Sequence, residues 1–459
     1  MNTKLSRRNF LKTSGAAATA AFALNVVPSK VLGADAPSNK LNIAGIGIGG
    51  MGMGNLRGCM DENIVALCDV DKSDHTAAAR DTFPDATIYE DYRVMFDKEK
   101  NIDAVIVATP DHTHAVITME AMQRGKHVYC QKPLTHTVYE ARQIALAAKK
   151  YKVVTQMGNQ GRSSDQTRML REWLEDGAIG DVKEVYGWTD RPVGGAPYSD
   201  FAVKARPTDT PPVPKTLNWD LWLGPVRYRP YHPDYVPTKW RAWQDFGTGP
   251  LGDMGCHILD PSFWALDLGA PESVQATTTH WIPEVASETF PRASIVRYKF
   301  PARGKLPPVN LTWSDGRLLP PVPEFFEPGR EFTRSGSGAL LIGERGGIMH
   351  DSHGASGLRI IPEVQMKEYA TRLPKEKYPR IEKGLQHEQD WLIACKGGRP
   401  CCSPFEYGAA LTEMALLGMI AIRQKDQLLK WDTENLRFTN NEKANELLHI
   451  DYRDGWKKL

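Results

Sequence analysis

The feature that most narrows what this chain can fold into is a glycine-rich turn set between two apolar runs. Leu41-Asn42-Ile43-Ala44-Gly45-Ile46 is short and apolar enough for a buried parallel strand, and it breaks into Gly47-x-Gly49-x-x-Gly52. A second run, Asn63 to Cys68, ends on Asp69, twenty-two residues after Gly47. Strand, glycine turn, helix, strand and acid together outline a dinucleotide site. The first glycine makes the tight turn, the second lets backbone N–H groups approach a pyrophosphate, and the third lets the helix pack on the sheet. The phosphates would sit at the positive helix N-terminus. Asp69 would accept hydrogen bonds from the ribose hydroxyls and repel a 2′-phosphate, which favours NAD(H) over NADP(H). A glycine turn alone also serves as a plain strand-to-helix connection; the flanking strand and the acid argue against that alternative.

At 459 residues the chain exceeds the ~250–300 residues that one hydrophobic core usually serves, so two domains are expected. A net charge of +2, from 57 basic and 55 acidic residues, lacks the basic excess of a nucleic-acid binder. Seven cysteines without a CxxC pair form neither a disulfide framework nor a zinc site. The first residues read as a leader. Twin arginines, Arg7-Arg8, precede a weakly apolar run from Gly15 to Val27 and small residues up to Ala36. This is the pattern of a twin-arginine export signal, and the run is too short for the ~20 residues of a membrane span. The twin-arginine route carries folded proteins, so a periplasmic or otherwise exported protein with a cofactor bound before export is expected, without a membrane anchor after processing. The expected divisions are a leader over 1–36, a dinucleotide domain over 37–160 and a substrate domain over 161–459.

Strands and helices alternate after the turn. Asp103 to Thr109, His127 to Cys130 and Val153 to Met157 are strand candidates separated by helical stretches, which predicts a doubly wound parallel sheet. Thr109-Pro110-Asp111-His112-Thr113-His114 lies at the carboxyl edge, where open α/β sheets bind ligands. Lys132, at the end of the next strand and fixed by Pro133, would point into the same crevice. There it could hold a hydroxyl and stabilise the alkoxide character that develops as hydride leaves carbon. The alternative is an ordinary surface lysine.

From Asp190 to Thr248 the chain is rich in proline and aromatics with little periodicity. Long irregular insertions tend to be functional. Trp222, Tyr231, Trp240 and Arg241 are candidates to bind a carbohydrate, by stacking and by hydrogen bonds; a loop glued down by its own aromatics is the alternative. Next comes Gly252-Asp253-Met254-Gly255-Cys256-His257. On a helix, Asp253 and His257 are i and i+4 neighbours. His257 would be a general base, with Asp253 orienting its ring and stabilising its charged form. A helix-capping aspartate and a core histidine are the alternative. A hydride transfer needs no metal, and none is expected.

The glycine turn, Asp69, the Thr109-Pro110 to His114 segment and Lys132-Pro133, in this order and spacing, resemble the glucose–fructose oxidoreductase/inositol dehydrogenase/MocA family over nearly the whole chain after the leader. The resemblance implies a Rossmann domain joined to an α/β domain with a large open antiparallel sheet. It also implies nicotinamide chemistry on sugars or cyclitols, and a dimer or tetramer. It assigns Gly47, Gly49, Gly52, Asp69, Thr109, Pro110, His114 and Lys132 to the cofactor, and matches Asp253 and His257 to the family's aspartate and histidine. One departure stands out: Gln131 occupies the place of the glutamate in the family's Glu-Lys-Pro motif.

Three functions follow as expectations. The first is an exported NAD(H)-dependent oxidoreductase acting on a hydroxyl of a sugar, glycoside or cyclitol. The second is a glycosidase of the same fold that oxidises, eliminates and re-reduces. The third is a carbohydrate-binding protein without chemistry, against which Lys132, Asp253 and His257 all speak.

Overall fold

The computed structural model describes residues 39–192, 205–279, 288–332, 335–382 and 384–459. The leader lies outside these residues, as does part of the aromatic insertion. Two sheets carry the fold. The first contains β1 (Asn42–Ile46), β2 (Asn63–Cys68), β3 (Thr87–Tyr89), β4 (Ala104–Val107), β5 (His127–Cys130) and β6 (Thr155–Met157). Their order is β3-β2-β1-β4-β5-β6, with every pair parallel. β4 is buried along its whole length, as its unbroken apolar run requires in a sheet covered on both faces. The strand order reverses between β1 and β4, so the crevice at their carboxyl ends is where a ligand belongs.

The second sheet contains β7 (Glu184–Trp188), β8 (Ser273–Thr278), β9 (Ser294–Phe300), β10 (Val309–Ser314), β11 (Gly338–Gly343), β12 (Gly346–Asp351), β13 (Arg359–Ile361), β14 (Leu429–Asp432) and β15 (Arg437–Phe438). Their order is β13-β12-β11-β7-β10-β9-β8-β14-β15. β9 alternates buried with less buried residues, the period of a strand with one covered face. The sheet is mixed rather than wholly antiparallel: β7 and β10 run parallel. The chain leaves β7 through the aromatic insertion and two helices, then forms the β8–β9 hairpin, and so comes back into the sheet in its original direction.

Helix Phe405–Arg423 joins the two halves. By length and composition it would pass for a membrane span, yet most of it is buried inside the fold. Its Glu413 pairs with Arg142 on helix Val138–Tyr151 of the first domain. On the other side Gly418 faces the second sheet, where a Cβ would fall 1.9 Å from the Tyr298 hydroxyl. Only glycine permits so close an approach.

Candidate active site

The glycine turn forms as its sequence requires. Gly47 has a φ of 78°, and a Cβ there would meet the backbone of Ala108 and Thr109 at 2.7 Å. A Cβ on Gly52 would fall 1.9 Å from the Gly47 carbonyl oxygen. Any side chain at either position would open the turn. Gly49 lies under the His75 imidazole, a neighbour that the sequence pattern did not reveal. At the end of β2, Asp69 accepts from the N–H of Ile48 and of Asp71, both at 2.9 Å. The acid therefore ties the glycine turn to the end of β2 while facing the cleft. Burial pushes its carboxyl above the usual range, and the two N–H bonds oppose that shift.

A single cleft of about 700 Å³ runs from this turn past Thr109, Pro110 and Lys132 to Asp253 and His257. Trp222, Trp240 and Arg241 also line it. Its donor set fits a dinucleotide: a side-chain-free turn at one wall, a carboxylate at the end of β2, and an elongated space between the two domains. Tyr231 is not among the lining residues. It is 9% exposed and packs edge-on against Trp219, whereas Tyr228 is 69% exposed. Trp219, Trp222, Tyr231, Tyr235, Trp240, Trp243 and Phe246 form a small hydrophobic core of their own. The aromatic insertion is thus chiefly a packed wall, because each ring buries more apolar area against the others than solvent would leave it.

Lys132 and Asp253 meet at the centre. The Lys132 ammonium donates to the Asp253 carbonyl at 2.6 Å and to its carboxylate Oδ1 at 2.8 Å. Arg191 donates to the other carboxylate oxygen, and the Arg241 guanidinium Nε lies 3.7 Å from Oδ1. Burial alone would raise the Asp253 carboxyl, but Lys132, Arg191 and Arg241 outweigh it and hold the group far below the carboxylate range. Asp253 and His257 do share helix Gly249–Ile258. The expected orienting contact is nevertheless absent among the described residues: the Asp253 carboxylate is taken up by cations, and the buried His257 Nδ1 has no hydrogen-bond partner. Burial, then Lys132 and His353, push His257 well below the ordinary histidine range. These surroundings favour the neutral imidazole over the charged one that an adjacent carboxylate would stabilise.

His353, from the turn after β12, lies against His257 with ring centroids 4.1 Å apart and the planes tilted by 32°. Burial, Lys132 and Arg191 lower its pKa as well. Neither His353 nor Arg191 was legible in advance; the signal for the first was a histidine before a glycine in Asp351-Ser352-His353-Gly354.

His114 borders the cleft, and its two ring nitrogens are both engaged: Nδ1 lies 2.8 Å from the Pro133 carbonyl and Nε2 2.8 Å from the Thr109 carbonyl. A ring flanked by two acceptors needs a proton on each nitrogen. Burial by itself would depress its pKa, but Cys130, Asp111 and the Pro133 carbonyl together lift it to about 9. His114 thereby clamps the turn after β4 to the turn after β5. Gln131 donates to Asn55 Oδ1 at 2.9 Å, and Asn55 donates to Glu388 at 2.6 Å, as Tyr129 does at 3.2 Å. The Gln131 amide is thus linked through Asn55 to the Glu388 carboxylate.

The fold also gathers His387, Asp390 and Cys402 within 4.8 Å, which no spacing in the sequence announced. Ser163 already bonds His387 Nδ1, while Arg399 and the Cys402 N–H occupy Asp390. The cluster is satisfied by protein groups.

Comparison with known proteins bears on the fold and the family. The family model for the oxidoreductase family's NAD-binding Rossmann fold matches residues 41–159, and that for its C-terminal alpha/beta domain matches 196–295. A twin-arginine translocation signal matches 4–23. Levoglucosan dehydrogenase of Pseudarthrobacter phenanthrenivorans is 27% identical over 209 residues, which is 45% of this chain and 43% of that protein. D-glucoside 3-dehydrogenase of Escherichia coli is 27% identical over 216 residues, 47% of this chain and 50% of that one. The chain thus spans about half the length of the curated relatives it matches. The WlbA dehydrogenase of Bordetella pertussis, solved with NADH and UDP-GlcNAcA, shares the fold at a TM-score of 0.56 and 15% identity, over 86% of this chain and 99% of its own. With its glycine turn, its two domain matches and these relatives, the chain belongs to the glucose–fructose oxidoreductase/inositol dehydrogenase/MocA family of NAD-binding oxidoreductases.

Proposed function

We propose that this protein is an exported NAD(H)-dependent oxidoreductase acting on a hydroxyl of a sugar, glycoside or cyclitol. The observation that carries the reading is the meeting of Lys132, Asp253 and a neutral His257 in the cleft that begins at the glycine turn. The bound nicotinamide would take up the hydride. Asp253 holds the Lys132 ammonium in place through two bonds, which leaves its third N–H for the substrate oxygen. That donor stabilises the oxygen as it gains alkoxide character. His257, kept unprotonated by burial and by Lys132, takes the hydroxyl proton. The packed wall of Trp222 and Trp240 excludes water on one side. The names of the reported relatives point to sugar hydroxyls, and the leader to export.

His353 is the one observation that favours the second reading, a glycosidase, since elimination needs a second group to remove a C–H proton. One experiment separates the two. Purified protein carrying NAD⁺ is mixed with a panel of sugars, glycosides and cyclitols, and ketone, NADH and released sugar are measured. Ketone with NADH supports the oxidoreductase; released sugar without net NADH supports the glycosidase. Binding with neither product would refute both.

A further inference from the structure

The Asp69 end of the cleft is closed by two segments that come from outside the first domain. One is the start of the aromatic insertion. Lys72 N–H donates to the Thr216 carbonyl at 2.8 Å and Asn218 N–H to the Val70 carbonyl at 2.9 Å, with an antiparallel bridge between Asp71 and Leu217. The other is the chain's last turn. Arg453 donates from its backbone N–H to the Pro225 carbonyl at 3.0 Å and from its guanidinium to the Gly224 carbonyl at 2.6 Å, and it pairs with Asp220. The C-terminal segment is thereby stapled to the insertion. Trp456, two residues further on than Asp454, lies against Tyr92, with ring centroids 6.4 Å apart, and the Arg93 guanidinium sits 4.8 Å over the indole. Trp456, Tyr92, Leu217, Leu221, Val236 and Pro237 all line the cleft.

We infer that Trp456 and the Leu217–Pro237 strap form an adenosine-binding roof that turns the nucleotide into a resident group rather than an exchanging co-substrate. The inference rests on the cleft being an NAD(H) site, where Asp69 marks the ribose next to adenine. An adenine leaving that end has to pass a wall that is aromatic and apolar, and that is held by hydrogen bonds on both sides. Trp456 supplies a π-face for the base, a contact independent of base identity and made without any hydrogen bond to the purine edge. The same roof leaves the nicotinamide end, at Lys132 and His257, open to substrate through the other part of the cleft. Retention of the nucleotide is what a protein working beyond the cytoplasmic nicotinamide pool requires.

The test uses the full mature chain, freed of nucleotide under mild denaturant and refolded, and its variants Trp456→Ala, Trp456→Phe and Arg453→Ala. Dissociation of NADH is followed by fluorescence, and binding of ADP-ribose and of nicotinamide mononucleotide by calorimetry. NADH should leave the Trp456→Ala variant ~10- to 100-fold faster than the unmodified protein, the size of one lost base–aromatic stack. Trp456→Phe should restore most of the retention, and Arg453→Ala, which removes the staple to the Gly224 carbonyl and a guanidinium 6.0 Å from the Trp456 ring, should also speed release. ADP-ribose should weaken in step with NADH while nicotinamide mononucleotide is unchanged. Equal NADH release from Trp456→Ala and the unmodified protein overturns the roof but leaves the NAD(H) site standing, as does equal weakening of both half-ligands. Failure of the unmodified protein to bind NADH or ADP-ribose overturns the site itself.

Discussion

Lys132→Met is the perturbation whose size the geometry sets. The ammonium has three N–H donors, and two of them are spent on the Asp253 carbonyl and carboxylate. Only one remains for the substrate oxygen, so the substitution removes a single donor from the developing alkoxide. Losing one such donor costs ~10²–10³-fold in rate, about 2.7–4 kcal/mol of transition-state stabilisation. Folding should suffer less than the ~3–5 kcal/mol of a buried charge left unpaired, because Asp253 keeps Arg191. A second effect separates this residue from a purely structural one. Lys132 is among the groups that depress the His257 pKa. Without that cation His257 protonates at higher pH, so the acid limb of the rate profile moves upward. The assay is single-turnover reduction of bound NAD⁺ across pH, with thermal unfolding and NADH affinity measured alongside. A wild-type rate with cofactor still bound, or an acid limb that stays in place while the rate falls, would refute the reasoning.

Other outcomes follow from neighbouring contacts. His257→Ala should slow single-turnover hydride transfer ~10²–10⁴-fold, with the deficit shrinking at high pH where hydroxide can serve as base. Asp69→Ser should weaken NAD⁺ in calorimetry and narrow its advantage over NADP⁺. It should also lower thermal stability by about 1–3 kcal/mol, because the Ile48 and Asp71 N–H groups lose their acceptor. Gln131→Glu sets a carboxylate against Asn55 Oδ1. The Asn55 amide can turn to meet it only by presenting its oxygen to Glu388, so a loss of melting temperature is expected, relieved by adding Glu388→Gln. The new charge beside Lys132 should also shift the pH profile of the rate.

Much of the first domain could be read from the chain. β2 and β5 fall on the residues their apolar runs indicated, and the glycine turn closes where the third glycine permits it. Long-range contacts were less legible. Helix Asp165–Glu175 escaped notice because it buries Arg168 and Glu172 together with Leu170 and Trp173, and the Glu172 charge is answered by Arg380 far along the chain. The Asp253–His257 spacing placed two side chains on one helix but could not say which would bond. Three cations brought in from other segments settled that in favour of Lys132 and Arg191. Tyr231 and Trp240 have the same aromatic signature in sequence; only packing distinguishes the ring that faces other rings from the one that faces the cleft. Trp456 sits in a stretch without a periodic or motif signal, and the His353-Gly354 pair says nothing of where its turn lands, so the arrival of both in the cleft depended on the whole topology.

The helix Phe405–Arg423 has a consequence for biosynthesis. It supplies the surface on which the first sheet's helix Val138–Tyr151 rests, and at the same time the surface behind the second sheet. A growing chain completes all six parallel strands long before this helix is made. Until then the ribosome-bound amino-terminal half carries an uncovered apolar flank around Leu134, Val138 and Met157, the kind of surface that binds chaperones or aggregates. The leader precedes both domains in the chain. Since the twin-arginine machinery takes folded cargo, the signal becomes useful only once the helix Phe405–Arg423 has been made and has closed this flank.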